Sequence, residues 1–178
     1  MGIKHLGVSL SLSLPLLVIT VAIFQCGTAA DETGKALITK TCGSTAFPDV
    51  CTTTLESDPR SLSADLKGLS RIALELSIAK TNETAGVAYY LLNHASGYAT
   101  WADRSACFHG YNMSINKIKE DGLLSFDQGK YDKAYQSVDL LNQEAAHCST
   151  FNIPELTEKN TLLSKFSTDV KTILQLLF

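Results

Sequence analysis

The sequence predicts an all-α fold: an up-down-up-down four-helix bundle preceded by an N-terminal helical hairpin and tied by two disulfides. Three observations carry that prediction. Apolar residues recur at three- and four-residue steps along most of the chain, and no stretch alternates apolar with polar for long enough to make a strand. Turn residues then divide this helical pattern into one short broken piece and four long ones. Finally, Cys42, Cys51, Cys107 and Cys148 fall at positions where such a layout can bring them together in pairs.

The first thirty residues read as a unit of their own. Lys4 and His5 precede an apolar run from Leu6 to Phe24, which closes on the small residues Gly27-Thr28-Ala29-Ala30. That is the pattern of a signal peptide cleaved before Asp31. Few basic residues flank the run, which argues against a retained membrane anchor. Cleavage removes Cys26, so five cysteines become four, and it leaves 148 of 178 residues, enough for one domain. Within 31–178 the hairpin is expected over 31–57 and the bundle over 58–178. With Lys4 gone, 14 basic side chains stand against 18 acidic ones. No Lys/Arg stripe follows a phosphate backbone, so nucleic acid is excluded as a partner. The product is expected to be secreted, with no membrane span after signal removal.

The elements follow in order. Ala36, Leu37 and Ile38 mark one arm of the hairpin, Val50 and Leu55 the other, and Pro48 lies between them. The first bundle helix opens at Asp58-Pro59-Arg60-Ser61, where Ser61 is expected to cap and Asp65 to favour the positive helix end. Leu62, Leu66, Leu69, Ala73 and Leu76 continue through Ala85, Ala88, Tyr89 and Leu92, and Gly97 lies in the closing turn. A second helix is expected from Thr100 to Leu124, with Gly122 weakening its end and Asp127-Gln128-Gly129 turning the chain. On it Cys107, Tyr111, Ser114 and Ile118 share a packing face, whereas His109, Asn112, Asn116 and Glu120 share a face for water or a partner. The third helix, Tyr131 to Cys148, buries Tyr131, Ala134, Val138, Leu141 and Ala145. Ile153-Pro154 breaks the helical pattern. The last helix then runs to Phe178 on Leu162, Phe166, Val170, Ile173 and Leu177.

Four cysteines allow three connectivities. Cys42 and Cys51 flank the hairpin turn, and Cys107 and Cys148 lie at comparable distances on either side of the turn near Asp127, so this pairing suits antiparallel neighbours in favourable register. The spacings and the oxidising compartment do not suit a structural zinc. Catalytic groups are equally scarce. After cleavage only His94, His109 and His147 remain as histidines, and no serine or cysteine sits in a nucleophile motif. Carboxylate pairs such as Asp139 with Glu144, or Glu155 with Glu158, fit solvated faces and helix starts. The expectation is a protein that is not an enzyme and has no metal or cofactor. Two glycosylation sequons, Asn82-Glu83-Thr84 and Asn112-Met113-Ser114, fit secretion, and Asn112 has the better case because it shares the polar face.

Several short features together resemble a known family. They are the eight-residue gap between Cys42 and Cys51, the run Leu55-Glu56-Ser57-Asp58-Pro59-Arg60-Ser61 followed by Ala64-Asp65-Leu66-Lys67-Gly68-Leu69, Tyr111 four residues after Cys107, and Gly129-Lys130-Tyr131, whose tyrosine precedes Cys148 by seventeen. In these the chain resembles the plant pectin methylesterase inhibitors and invertase inhibitors. The resemblance implies first-to-second and third-to-fourth cysteine pairing, location in the apoplast or cell wall, and inhibition of a cell-wall enzyme by covering its active-site cleft.

Target choice within the family is written beside the cysteines. Esterase inhibitors tend to carry acidic residues six and nine positions after the third cysteine and a threonine before the fourth, where this chain has Met113, Asn116 and His147. Invertase inhibitors tend to carry Pro-Lys-Phe where this chain has Tyr131-Asp132-Lys133. The Asp-Pro-Arg-Ser and Asp-Leu-Lys-Gly-Leu words and Tyr131 favour a pectin methylesterase as partner over an acid invertase. The expected contact face comprises His109, Tyr111, Asn112, Met113, Asn116 and Glu120 with His147 and Thr150 nearby, and Tyr111 is its expected anchor. A non-inhibitory secreted bundle, binding another partner or a small apolar ligand, is the alternative of a different class.

Overall fold

The computed structural model describes Gly2 and residues 34–178. The signal-peptide reading lies outside the described residues, and residues 34–178 belong to one compact unit. It is all helical among the described residues, as expected. Helices α1 (Gly34–Gly43) and α2 (Pro48–Glu56) form the hairpin. A 3₁₀ turn (Pro59–Ser63) leads into α3 (Leu66–Asn93), followed by α4 (Tyr98–Lys117). A π-helical segment (Ile118–Gly122) joins α4 to the short α5 (Leu123–Asp127), and α6 (Tyr131–Ser149) and α7 (Pro154–Gln175) complete the chain.

Local chemistry sets most of these boundaries. Pro48 and Pro154 each occupy a first helical turn, where an amide hydrogen has no intrahelical acceptor to lose. Asp58 accepts the Arg60 amide at 3.0 Å and starts the 3₁₀ turn. The cap of α3 is Asp65, which accepts the Gly68 amide at 2.7 Å. Ser61 is therefore not the cap: it is wholly buried, and its hydroxyl has no hydrogen-bond partner. Gly129, at φ +74°, turns the chain between α5 and α6.

The second bundle helix is longer than expected, because helical structure continues from Tyr98 through the π segment to Asp127. Gly122 does not weaken an end there. It is a point of close approach, where a Cβ would collide with the Ser137 hydroxyl of α6.

Each long helix packs on two others: α3 on α4 and α7, and α6 on α4 and α7. That ring is the up-down-up-down bundle. Between the helices lie Leu74, Phe126, Leu141, Leu163 and Phe166, all nearly inaccessible. The buried side of α3 also carries Ser70, Ser77, Thr81 and Thr84. Each donates its hydroxyl hydrogen to the carbonyl four residues back, so burial leaves none of these groups unpaired.

Both disulfides form as the layout indicated. Cys42–Cys51 closes the hairpin and Cys107–Cys148 ties α4 to the end of α6, with Cα atoms 5.5 and 5.2 Å apart. The hairpin is further latched to α7 by Asp169, whose Oδ1 accepts the Phe47 amide at 2.9 Å.

The outward strip of helix α4

Helix α4 has one face in the core and one in solvent. Cys107, Gly110, Tyr111, Ser114 and Ile115 are buried, and Ile118 continues the stripe. On the opposite side, at the same three- and four-residue steps, stand His109, Asn112, Met113, Asn116 and Glu120. All are exposed except Asn112, which is half-buried because its side-chain nitrogen donates to the Phe108 carbonyl at 2.8 Å. Met113 is 53% exposed and is the large apolar group of the strip.

The mounting of this strip is rigid. Gly110 lets the Glu144 carboxylate lie directly over the α4 backbone, where any Cβ would clash with it. The Cys107–Cys148 bridge fixes the helix pair one turn away. On the inner side the Tyr111 hydroxyl donates to Asn160 Oδ1 and so ties α4 to α7.

Tyr111 corrects the sequence reading. It is 0% exposed and cannot anchor a partner in this fold. Its spacing with Cys107, Ser114 and Ile118 already placed it on the packing face, and core burial is what its ring satisfies. Burial pushes the phenol's pKa upward, so the hydroxyl stays protonated as a donor. Tyr111→Phe is expected to cost about 1–3 kcal/mol in denaturant unfolding, because Asn160 Oδ1 loses its partner in the core. A loss below about 0.5 kcal/mol would show that this hydrogen bond contributes nothing net.

His147 and Thr150 are exposed at the far end of α6, at the level of the disulfide. His147 meets Phe151 edge-on at 4.9 Å between ring centroids, and the Thr150 hydroxyl donates to the His147 carbonyl at 2.7 Å. Both are engaged with their own chain end, so the strip proper is the α4 set. The sequence reading missed an exposed aromatic group at the α3–α4 turn. Tyr98 is 82% exposed and stacks on Trp101 at 6.0 Å, and Tyr90 lies tilted against His94 at 4.2 Å. Their departure from the apolar stripe was the available signal.

The two sequons border one shallow groove between α3 and α4, alongside Gly86, Tyr89 and Phe108. Asn82 is exposed whereas Asn112 has its amide engaged, which reverses the order expected from sequence. Among the described residues no cluster of three or more His, Cys, Asp or Glu could hold a metal ion, and no helix is long and apolar enough to cross a membrane.

Helix order, hairpin and bridge positions define a disulfide-tied helical bundle of a recognisable kind. Residues 36–176 match the family of plant invertase/pectin methylesterase inhibitors. The chain belongs to that family. Over 82 residues, 46% of this chain and 44% of the relative, it is 33% identical to a pectinesterase inhibitor of Actinidia deliciosa. Over 50 residues, 28% of this chain and 22% of the relative, it is 46% identical to pectinesterase inhibitor 28 of Oryza sativa subsp. japonica. The chain thus spans less than half the length of these curated relatives. Two crystal structures share its fold: a mutant form of a pectin methylesterase inhibitor from Arabidopsis and a pectin methylesterase inhibitor from Arabidopsis thaliana. Their TM-scores are 0.67 and 0.59, each at 14% identity, covering 78% and 81% of this chain and 95% and 97% of those chains.

Proposed function

We propose that this protein is secreted and inhibits a pectin methylesterase by laying the outward strip of α4 over the enzyme's cleft. The observation that carries the reading is the family match over residues 36–176, whose named relatives are pectinesterase inhibitors. The strip supports it physically. His109, Met113, Asn116 and Glu120 combine one apolar anchor with polar groups on a helix held by a disulfide and a buried hydrogen bond. A helix backbone already held in place costs little further ordering on binding, which suits a cleft-covering inhibitor. Met113, 53% exposed, is the central anchor of the strip, since Tyr111 is buried. Two disulfides suit an oxidising extracellular compartment. Of the two sequons Asn82, exposed on α3, is the better placed to carry a glycan there.

The test is inhibition of a purified pectin methylesterase, with an acid invertase assayed in parallel. The parent protein is expected to inhibit the esterase. A Met113→Glu/Asn116→Ala variant is expected to bind at least about ten-fold more weakly with its helical signal unchanged. Full inhibition by that variant would place the contact on another face. Inhibition of the invertase alone would place the target in the other branch of the family.

A further inference from the structure

A second surface feature lies beside the strip. Where the π segment and α5 meet the start of α6, the fold leaves an open groove of about 420 Å³, within the size range of small-molecule sites. Lys117, Asp121 and Leu124 line it from one side, and Lys130, Lys133 and Gln136 from the other. The groove follows from two local facts. The π segment carries an extra residue per turn, which rotates Asp121 and Leu124 away from the α4 register. Gly122 then brings this segment hard against Ser137, so the wider turn is held in place by α6.

The charge balance of the groove is opposite to that of the chain. The whole sequence carries a formal charge of −3, yet three lysines and one aspartate line this groove. Lys117 Nζ pairs with Asp121 at 2.5 Å. Lys130 Nζ donates to the neutral Gln128 Oε1 at 2.6 Å. Neither Lys130 nor Lys133 makes an ion pair among the described residues. Their ammonium groups line a concave surface that also offers the Gln136 amide and Leu124, which is 58% exposed. Ammonium groups for carboxylates, an amide for hydroxyls and an aliphatic side chain for a sugar's C–H face are the groups an acidic saccharide needs.

We infer that this groove binds a carboxylate-bearing saccharide, namely the de-esterified galacturonan that a pectin methylesterase leaves behind when it hydrolyses the methyl esters and releases methanol. The choice of galacturonan rests on the function proposed above, whereas the need for an anionic saccharide rests on the groove. Bound this way, the inhibitor would be held on the polymer at places where its target has already acted. The contacts are solvent-exposed, so they are screened over about 10 Å at 0.1 M salt and the affinity must fall as salt rises.

The experiment is calorimetric titration of the full chain with tetragalacturonate, with its fully methyl-esterified form and with inorganic phosphate, each repeated on Lys130→Gln/Lys133→Gln. Tetragalacturonate is expected to bind the parent, whereas the esterified form on the parent, and tetragalacturonate on the double variant, are each expected to bind at least about ten-fold more weakly. Raising salt from about 20 to about 200 mM is expected to weaken the parent's binding severalfold. Equal binding of acid and ester, unchanged binding by the double variant, or salt-independent binding would each overturn the site. Competition by phosphate at equal concentration would reduce it to a generic anion patch and overturn it as well. Esterase inhibition by the same double variant is expected to match the parent. Loss of inhibition by the parent itself, with saccharide binding intact, would sink the inhibitor reading and leave the groove assignment standing.

Discussion

Replacing Cys107 and Cys148 together by serine is expected to lower the unfolding free energy by about 4 kcal/mol through the lost cross-link. The bridge spans 41 positions, and it joins α4 to the last turn of α6. Without it the unfolded chain gains the freedom of a long open loop, while the folded helices keep their packing. The equivalent change at Cys42 and Cys51 opens a span of 9 positions and is expected to cost about 3 kcal/mol. Both losses consume a large part of what a domain of this size has in reserve. Guanidinium unfolding of parent and variants under non-reducing conditions measures the difference directly. A loss under about 1 kcal/mol for the longer span would mean that the unfolded chain is already compact without its bridge.

Asp169→Ala is expected to cost about 1.5–3 kcal/mol and to loosen the hairpin selectively. Asp169 belongs to α7 and is wholly buried, with Oδ1 on the Phe47 amide and Oδ2 without a hydrogen-bond partner. The hairpin turn at Thr45 and Ala46 also faces this carboxyl, and Lys165 reaches over the Phe47 ring at 5.3 Å. Burial pushes the Asp169 pKa above the ordinary carboxylate value, against the lowering effect of its hydrogen bonds. The sign of the pH effect follows. The folded state binds this proton more tightly than the unfolded state, so the group's contribution is most favourable below the unfolded pKa. It declines as pH rises through the folded value.

Carboxylates paired with arginines work in the opposite sense. Arg60 lowers the pKa of Asp58, and Arg71 lowers that of Asp127, so those two groups lose stability on acidification. The difference between parent and Asp169→Asn isolates the buried group. From pH 7 down to about pH 4 the parent is expected to gain stability relative to the Asn variant. Parallel melting curves across that range would show that Asp169 titrates alike in both states.

Periodicity carried the bundle because each long helix writes its buried face locally. On α6, Ala134, Val138, Leu141 and Ala145 are all inaccessible, as their spacing indicates. The cysteine pairing was equally readable, since helix order brings each pair to one level. What local pattern could not express is a contact set from a distance. The π segment exists where Gly122 meets Ser137, two residues on different helices. Asp169 sits between Ser167 and Val170 on a buried face, and nothing near it in sequence says that the hairpin turn arrives there. Ser61 and Asp65 both fit a cap, and only the chain's path selects Asp65. Tyr111 is legible in the same way as the α6 face: its spacing with Cys107, Ser114 and Ile118 assigns the ring to the core, where it lies wholly buried and unavailable as an aromatic anchor.

The Cys107–Cys148 bridge and the turn at Gly129 close the two ends of the α4–α6 pair into a covalent ring. Both the outward strip and the whole lining of the lysine groove belong to that ring. A protease that nicks the exposed turn around Gln128–Lys130 cuts the backbone without releasing either piece, because the bridge still joins them. That topology makes a single cut there a change of connectivity and not a loss of the molecule.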